Sequence, residues 1–341
     1  MKKIFALLGD VAVAVGCCIG VGFLSGKEAQ VFFGNVFNVV IFAVAFFIAN
    51  YTLREYCRAN NCSTVDKLSG SLFPRASKYI NLGIALCSFV CIVTVLAGVE
   101  QCLASLFYLS KLPLYAFAAS LIATILLKQN MKALKYANFA SIVMAVILLT
   151  VLLLKNKQQH VENLDVPLYQ PLVYALFTVT MSLGVTTRLA CDISQRGNVI
   201  ACILTSVITS ILMYVVLRLC HLNANLPALN TITQPALLVY AIVTLLFAAV
   251  TGIVANAYPI VQELKSIIPD DTVSNALIFG CALAFSMFGF DFAVKIGYLL
   301  VSIFGAALIT VASCKLLSKF LSRIRKHSLK VQNTTLPSNI K

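Results

Sequence analysis

The sequence predicts an all-α membrane protein of about ten transmembrane helices, laid out as a 5+5 inverted repeat with broken helices 1 and 6. Three observations carry that expectation. Sixty per cent of the 341 residues are apolar and only 11% are charged, which leaves no room for a soluble domain of any size. Apolar runs long enough to cross a bilayer, about 20 residues each, recur from end to end. The first of them holds Gly16 to Gly26, GCCIGVGFLSG, with four glycines and a serine.

Taken in order, the apolar runs place helices at roughly 4–32, 34–53, 79–107, 112–128, 131–154, 169–192, 197–219, 233–264, 273–289 and 291–321. Residues 1–322 then form one transmembrane bundle, with repeat one over about 4–154 and repeat two over about 169–321. The basic, polar segment 323–341 is expected to be a disordered cytoplasmic tail that touches anionic lipid. Shifting the chain by roughly 165 residues lays helix 6 on helix 1 and helix 7 on helix 2. Five helices per half make the two halves enter from opposite sides, which is the geometry of inverted repeats.

Charge follows the same layout. A net charge of +14 and a pI near 9.3 would suggest nucleic acid in a soluble chain, but here placement explains the excess. Twenty of the 26 Lys and Arg residues fall on one side of the bundle, which by the positive-inside bias sets both termini in the cytoplasm. The expected location is therefore a cell (inner) membrane, with the lipid bilayer and a small molecule as partners and no nucleic acid. Met1-Lys-Lys followed by apolar residues could open a signal peptide, yet Asp10 interrupts the apolar run and nine further spans follow, so an uncleaved first helix is expected. The twelve cysteines lie mostly within helices as small apolar packing residues.

The glycine-rich stretch of helix 1 has the wrong composition for a plain anchor. In hydrocarbon every backbone N–H and C=O must find a partner, so a break is tolerated only where freed groups are buried in protein or line a cavity. The stretch is read as a binding site near the bilayer midplane, against the alternative of small residues that allow tight helix packing. A two-fold relation asks for a second interruption in helix 6. The sequence offers Phe177-Thr-Val-Thr-Met-Ser-Leu-Gly184, with hydroxyls and a glycine at mid-span.

The run Gly20-Val-Gly22-Phe23-Leu-Ser25-Gly26-Lys-Glu28, then Val31-Phe-Phe33, resembles the first helix of the YkvI-type putative amino-acid permeases. These belong to the amino acid–polyamine–organocation superfamily, with the LeuT-type fold. The motif likeness is confined to helix 1, while helix order, length and polarity extend it over most of the chain. The resemblance implies a substrate carboxylate held by backbone amides of Val21, Gly22 and Phe23, with Gly20, Ser25 and Gly26 permitting close approach. Phe177, Thr180, Ser182 and Gly184 of helix 6 would supply the opposite wall. It also implies a cation site between Cys17 and Gly20 of helix 1 and Ala248 and Thr251 of helix 8. Gly252 stands where sodium-coupled members carry a serine, which removes one oxygen ligand. The helix 5 lysine of proton-coupled relatives would fall near Met144, so that device is missing. Na+ or H+ remain as coupling ions, with no other cofactor expected.

Ionisable groups within spans cost about 2.5 to 3.5 kcal/mol each at mid-helix and are functional candidates. Asp10, Lys27, Glu28, Glu100, Asp291 and Lys295 are the gate or coupling candidates. Glu28 with Lys295, or Lys27 with Asp291, would close an outer gate, and Asp10 would serve an inner gate or accept a proton. An enzyme is not expected, because His160, His221 and His327 all lie in loops or the tail, and no nucleophile with a base and no phosphate-binding loop is present. Two readings remain. One is a cation-coupled secondary transporter (symport permease) of an amino acid or similar small zwitterion; the other is an amino-acid-sensing receptor on the same scaffold without net transport.

Overall fold

The computed structural model describes residues 2–107, 131–155, 164–222, 234–265 and 267–335, with isolated positions between them. Among these residues all regular structure is helical, one of the two ways a backbone deprived of water satisfies its own polar groups. The first expected span is divided into α1 (Lys2–Cys18), α2 (Val21–Ser25) and α3 (Lys27–Phe32). The second is α4 (Val36–Ala59), followed by the short loop helix α5 (Val65–Leu72) and the third span, α6 (Ser77–Phe107). The expected fourth helix, 112–128, lies outside the described residues. Then come α7 (Met131–Lys155), the pair α8 (Tyr169–Met181) and α9 (Leu183–Cys191), α10 (Gln195–Leu222) and α11 (Pro235–Leu264). The chain closes with α12 (Asp271–Ser286), α13 (Phe290–Phe292), a π-helical turn at Ala293–Gly297 and α14 (Tyr298–Thr335).

Six of these helices are long and apolar enough to cross a membrane, and α8 with α9, bent by 65° at their junction, is a seventh if the pair counts as one span. Leu7–Cys18 and Thr272–Ser286 are shorter apolar helices.

Three local features extend the expected layout. Helix 2 was expected to stop at 53, before the charge of Arg54, but α4 runs to Ala59 and buries Arg54 to 1% exposure. Its Nε donates to Asn198 Oδ1 at 2.8 Å, and Asn198 Nδ2 in turn donates to Glu55. Segment 54–78, outside the expected helices, contains α5, capped by the Thr64 hydroxyl accepting from Lys67 N, with Val65, Leu68 and Leu72 turned inward at helical spacing. α14 continues as helix through 323–335, part of the segment expected as the tail.

Helix 1 breaks twice, for two different reasons. Ile19 N still donates to Val15 O, but Gly20 N turns to Cys18 O and Gly20 is extended (φ −88°, ψ 178°). The ladder resumes when Leu24 N reaches Gly20 O. Gly26 then takes φ 85°, a left-handed conformation in which a side chain is strained, and α3 leaves at a new angle. Between the breaks the amides of Val21, Gly22 and Phe23 find no backbone acceptor outside α2, which is too short to offer one. The backbone conformation and the missing i→i−4 bonds thus coincide at mid-span.

Helix 6 bends differently. Ser182 keeps helical angles and its hydroxyl donates to Val179 O at 2.9 Å, while Val185 and Thr186 amides both converge on Ser182 O. The broken segments lie at the centre of the packing. α1 rests on α7, α10 and α11; α2 touches α6 and α11; and α14 packs on α8 and α4.

Candidate functional site

The broken segment of helix 1 borders a cavity of about 10 Å³, enough for one water molecule. Helix 1 supplies Cys18, Gly20, Val21, Gly22 and Glu28, and α6 adds Cys91, Thr94 and Val95. One face of α8, Tyr174, Phe177, Thr178 and Met181, makes the opposite wall at i, i+3, i+4 and i+7. Phe290 and Tyr298 come from the two sides of the π-helical turn. Aromatic packing closes the space: Phe177 and Tyr298 stack with ring centroids 3.5 Å apart, and Phe32 lies against both Tyr174 and Tyr298.

Glu28 is the charged group of this wall, buried to 4% exposure. Tyr174 donates its hydroxyl to Oε2 at 2.5 Å, and Tyr298 donates to Oε1. Two phenol donors satisfy a carboxylate that burial alone would destabilise. The same carboxylate packs on Gly22, where a Cβ would collide with Glu28 Oε1 and lie 2.7 Å from Phe290 Cζ.

Of the residues expected to bind substrate, Gly20, Val21, Gly22 and Phe177 line the cavity. The others serve the surroundings. Phe23 is buried in the core, Ser25 donates to Gly22 O at 2.9 Å, and Gly26 makes the second bend. Thr180 donates to Leu176 O and lies against Gly305 of α14 instead of facing the cavity. Ser182 makes the helix 6 bend, and Gly184 gives room to Pro259 of α11, whose Cγ would stand 2.7 Å from an added Cβ. Thr180, three residues from Phe177, falls on the same side as Phe177 by helical period alone; the face turned to the cavity is centred on Tyr174 and Met181, which leaves Thr180 toward Gly305 of α14.

In the cation set, Cys17 packs in an apolar cluster with Val13, Val185, Leu189 and Ala255. Ala248 and Thr251 are buried on α11, and the Thr251 hydroxyl donates to Ala248 O at 3.0 Å. No group of three or more His, Cys, Asp or Glu with metal-binding geometry occurs among the described residues.

The gate candidates form other contacts than expected. Neither Glu28–Lys295 nor Lys27–Asp291 is an ion pair in this structure. Glu28 turns to phenols, Lys27 Nζ lies 5.9 Å from the Phe290 ring centroid, and Asp291 and Lys295 are exposed. Glu100 and Asp291 line a second cavity of about 400 Å³, with Phe290 as a wall shared with the first. Asp10, 2% exposed, pairs with Lys135 of α7 at 2.7 Å, a partner the sequence reading did not assign.

No protein-family model matches this sequence, and no curated protein matches it. Likeness appears in three dimensions. The structure of MhsT in complex with L-phenylalanine superposes with a TM-score of 0.60 at 15% identity, covering 89% of this chain and 87% of that one. The inward-facing conformation of Mhp1 gives 0.59 at 15% identity, covering 89% of this chain and 75% of that one. Both are LeuT-fold transporters and neither is an enzyme. The chain is thus a multi-pass membrane protein of the LeuT-type transporter fold.

Proposed function

We propose that this protein is a secondary active transporter of an amino acid or similar small zwitterion, coupled to a cation and working by alternating access. The single observation that carries the reading is the break at Gly20, where the amides of Val21, Gly22 and Phe23 lack backbone acceptors beside a cavity. Such groups persist within a bilayer only where a ligand or protein meets them. The shared fold with MhsT, whose structure contains L-phenylalanine, supports the same class of cargo.

Under this reading the bend at Ser182 is the counterpart of the helix 1 break in a 5+5 inverted repeat, and the bundle is a single domain with both termini cytoplasmic. The kinship with YkvI-type permeases rests on the Gly20–Phe33 motif. Charged groups flank the cavity as gates would: Asp10 with Lys135 on one side, and Lys27 and Glu28 on the other. Sodium at Thr251 or a proton at a buried carboxylate are the coupling choices.

Counterflow in proteoliposomes with labelled amino acids, with and without a sodium or proton gradient, tests the proposal. Saturable exchange that responds to one gradient supports it. Saturable binding with no exchange for any amino acid would replace it with the receptor reading.

A further inference from the structure

The charged lining of the central cavity has one sign. Glu28 projects into it, and no Lys, Arg or His is among its lining residues. The neighbouring Lys27 sits over the Phe290 ring and does not line the space. The two ion pairs found among the described residues, Arg58–Glu55 and Lys135–Asp10, involve neither Glu28 nor the cavity. Among the described residues this buried carboxylate is thus held by two neutral phenols, with no cationic side chain bonded to it.

Around it stand the rings of Tyr174, Tyr298, Phe177 and Phe290. A negative charge enclosed by aromatic faces is the chemistry that receives a protonated amine, through an ion pair with the carboxylate and cation–π contact with the rings. A substrate carboxylate brought to the same point would meet like charge at low dielectric. Resting on the transporter reading, we infer that Glu28 recognises the protonated nitrogen of the substrate, so that the substrate class is one bearing a free ammonium group.

The two phenols then hold the carboxylate until an amine replaces one of them. Tyr298 is suited to yield. It follows the π-helical turn Ala293–Gly297, a helix irregularity common where function needs a residue re-aimed, and Gly289 at φ 90° precedes the same segment. The small volume of the cavity, about 10 Å³, fits this order of events, since an amine enters only as the Tyr298 and Phe290 side chains withdraw.

The test uses purified full-length protein in sodium-free potassium buffer. Thermal shifts are recorded with L-amino acids, with their decarboxylated amines and with their deaminated acids. Amino acids and amines are expected to stabilise the wild type, and the deaminated acids are not. Glu28→Gln should need at least tenfold more amine for the same shift, while Tyr298→Phe should respond at an equal or lower concentration. An unchanged response in Glu28→Gln, or equal stabilisation by the deaminated acids, overturns the assignment while leaving transport intact. If Glu28→Gln is not recovered folded, the wild-type comparison of amine with acid decides alone. Absence of both stabilisation and counterflow with every compound would overturn the transporter reading itself.

Discussion

Glu28 and Tyr298 stand 270 positions apart, yet the phenol of Tyr298 donates directly to the Glu28 carboxylate. With Tyr174 on the other oxygen, one side chain joins the last segment of helix 1, helix 6 and helix 10. That triad is the polar centre of an otherwise aromatic cluster. Its hydrogen bonds act where solvent cannot replace them.

Removing either hydroxyl should therefore be felt in stability. A hydrogen bond to a charged group contributes about 1.5 to 3 kcal/mol, and the ring stacking survives a Tyr→Phe change. Tyr174→Phe and Tyr298→Phe are each expected to lower the melting midpoint in detergent. The double variant should depart from the sum of the two, because both donors serve one carboxylate. Strict additivity in that cycle would mean the two hydroxyls do not share Glu28.

Gly22 is the position where helix 1 meets its own carboxylate. A side chain there collides with Glu28 and with Phe290, which also separates the two cavities. Gly22→Leu is expected to abolish counterflow while membrane insertion, read by fractionation and gel filtration, stays normal. Wild-type uptake by that variant would contradict the placement of the site.

Gly305 explains where Thr180 points. An added Cβ at Gly305 would collide with the Thr180 hydroxyl and stand 3.1 Å from Leu176 O, so α8 and α14 approach through this glycine. Gly305→Ala should lose about 1 to 3 kcal/mol by overpacking, and Thr180→Ala should restore part of it. The restoration stays partial because the Leu176 carbonyl remains. Melting curves of the single and double variants measure both effects.

Which parts of this were legible in the sequence follows from the range of each interaction. The break in helix 1 was written locally, since glycine spacing and the demands of a backbone in hydrocarbon suffice. One wall of the cavity was partly within reach through Phe177, since the helical period from it reaches Tyr174 and Met181, but the same period admits Thr180 and gives no reason to choose Thr178. Phe290 and Tyr298 were not legible, because they reach the site by packing between distant segments. The π-helical turn also inserts one residue and rotates the face by about 100°. The partners of Glu28 were hidden for a related reason. Opposite charge suggested Lys295, but Lys295 lies three residues before Tyr298 and is exposed, leaving the phenol to reach the carboxylate.

The pair at the other end of helix 1 gives a prediction that separates pairing from charge. Asp10 is almost fully buried at 2% exposure, while the Lys135 side chain is 33% exposed and reaches it at 2.7 Å. Removing the lysine leaves a buried carboxylate alone, a loss of about 3 to 5 kcal/mol for a fully buried pair and less here because water reaches Lys135. Lys135→Met should therefore destabilise clearly, whereas Asp10→Asn with Lys135→Met should recover most of the loss, since nothing charged is left unpaired. If the pair holds the cavity closed on that side, the double variant, although stable, should also exchange substrate at an altered rate in counterflow. A double variant as stable as the wild type and equal to it in exchange would leave the pair with a packing role alone. One no more stable than Lys135→Met would instead show that Asp10 supports the bundle through contacts other than its lysine.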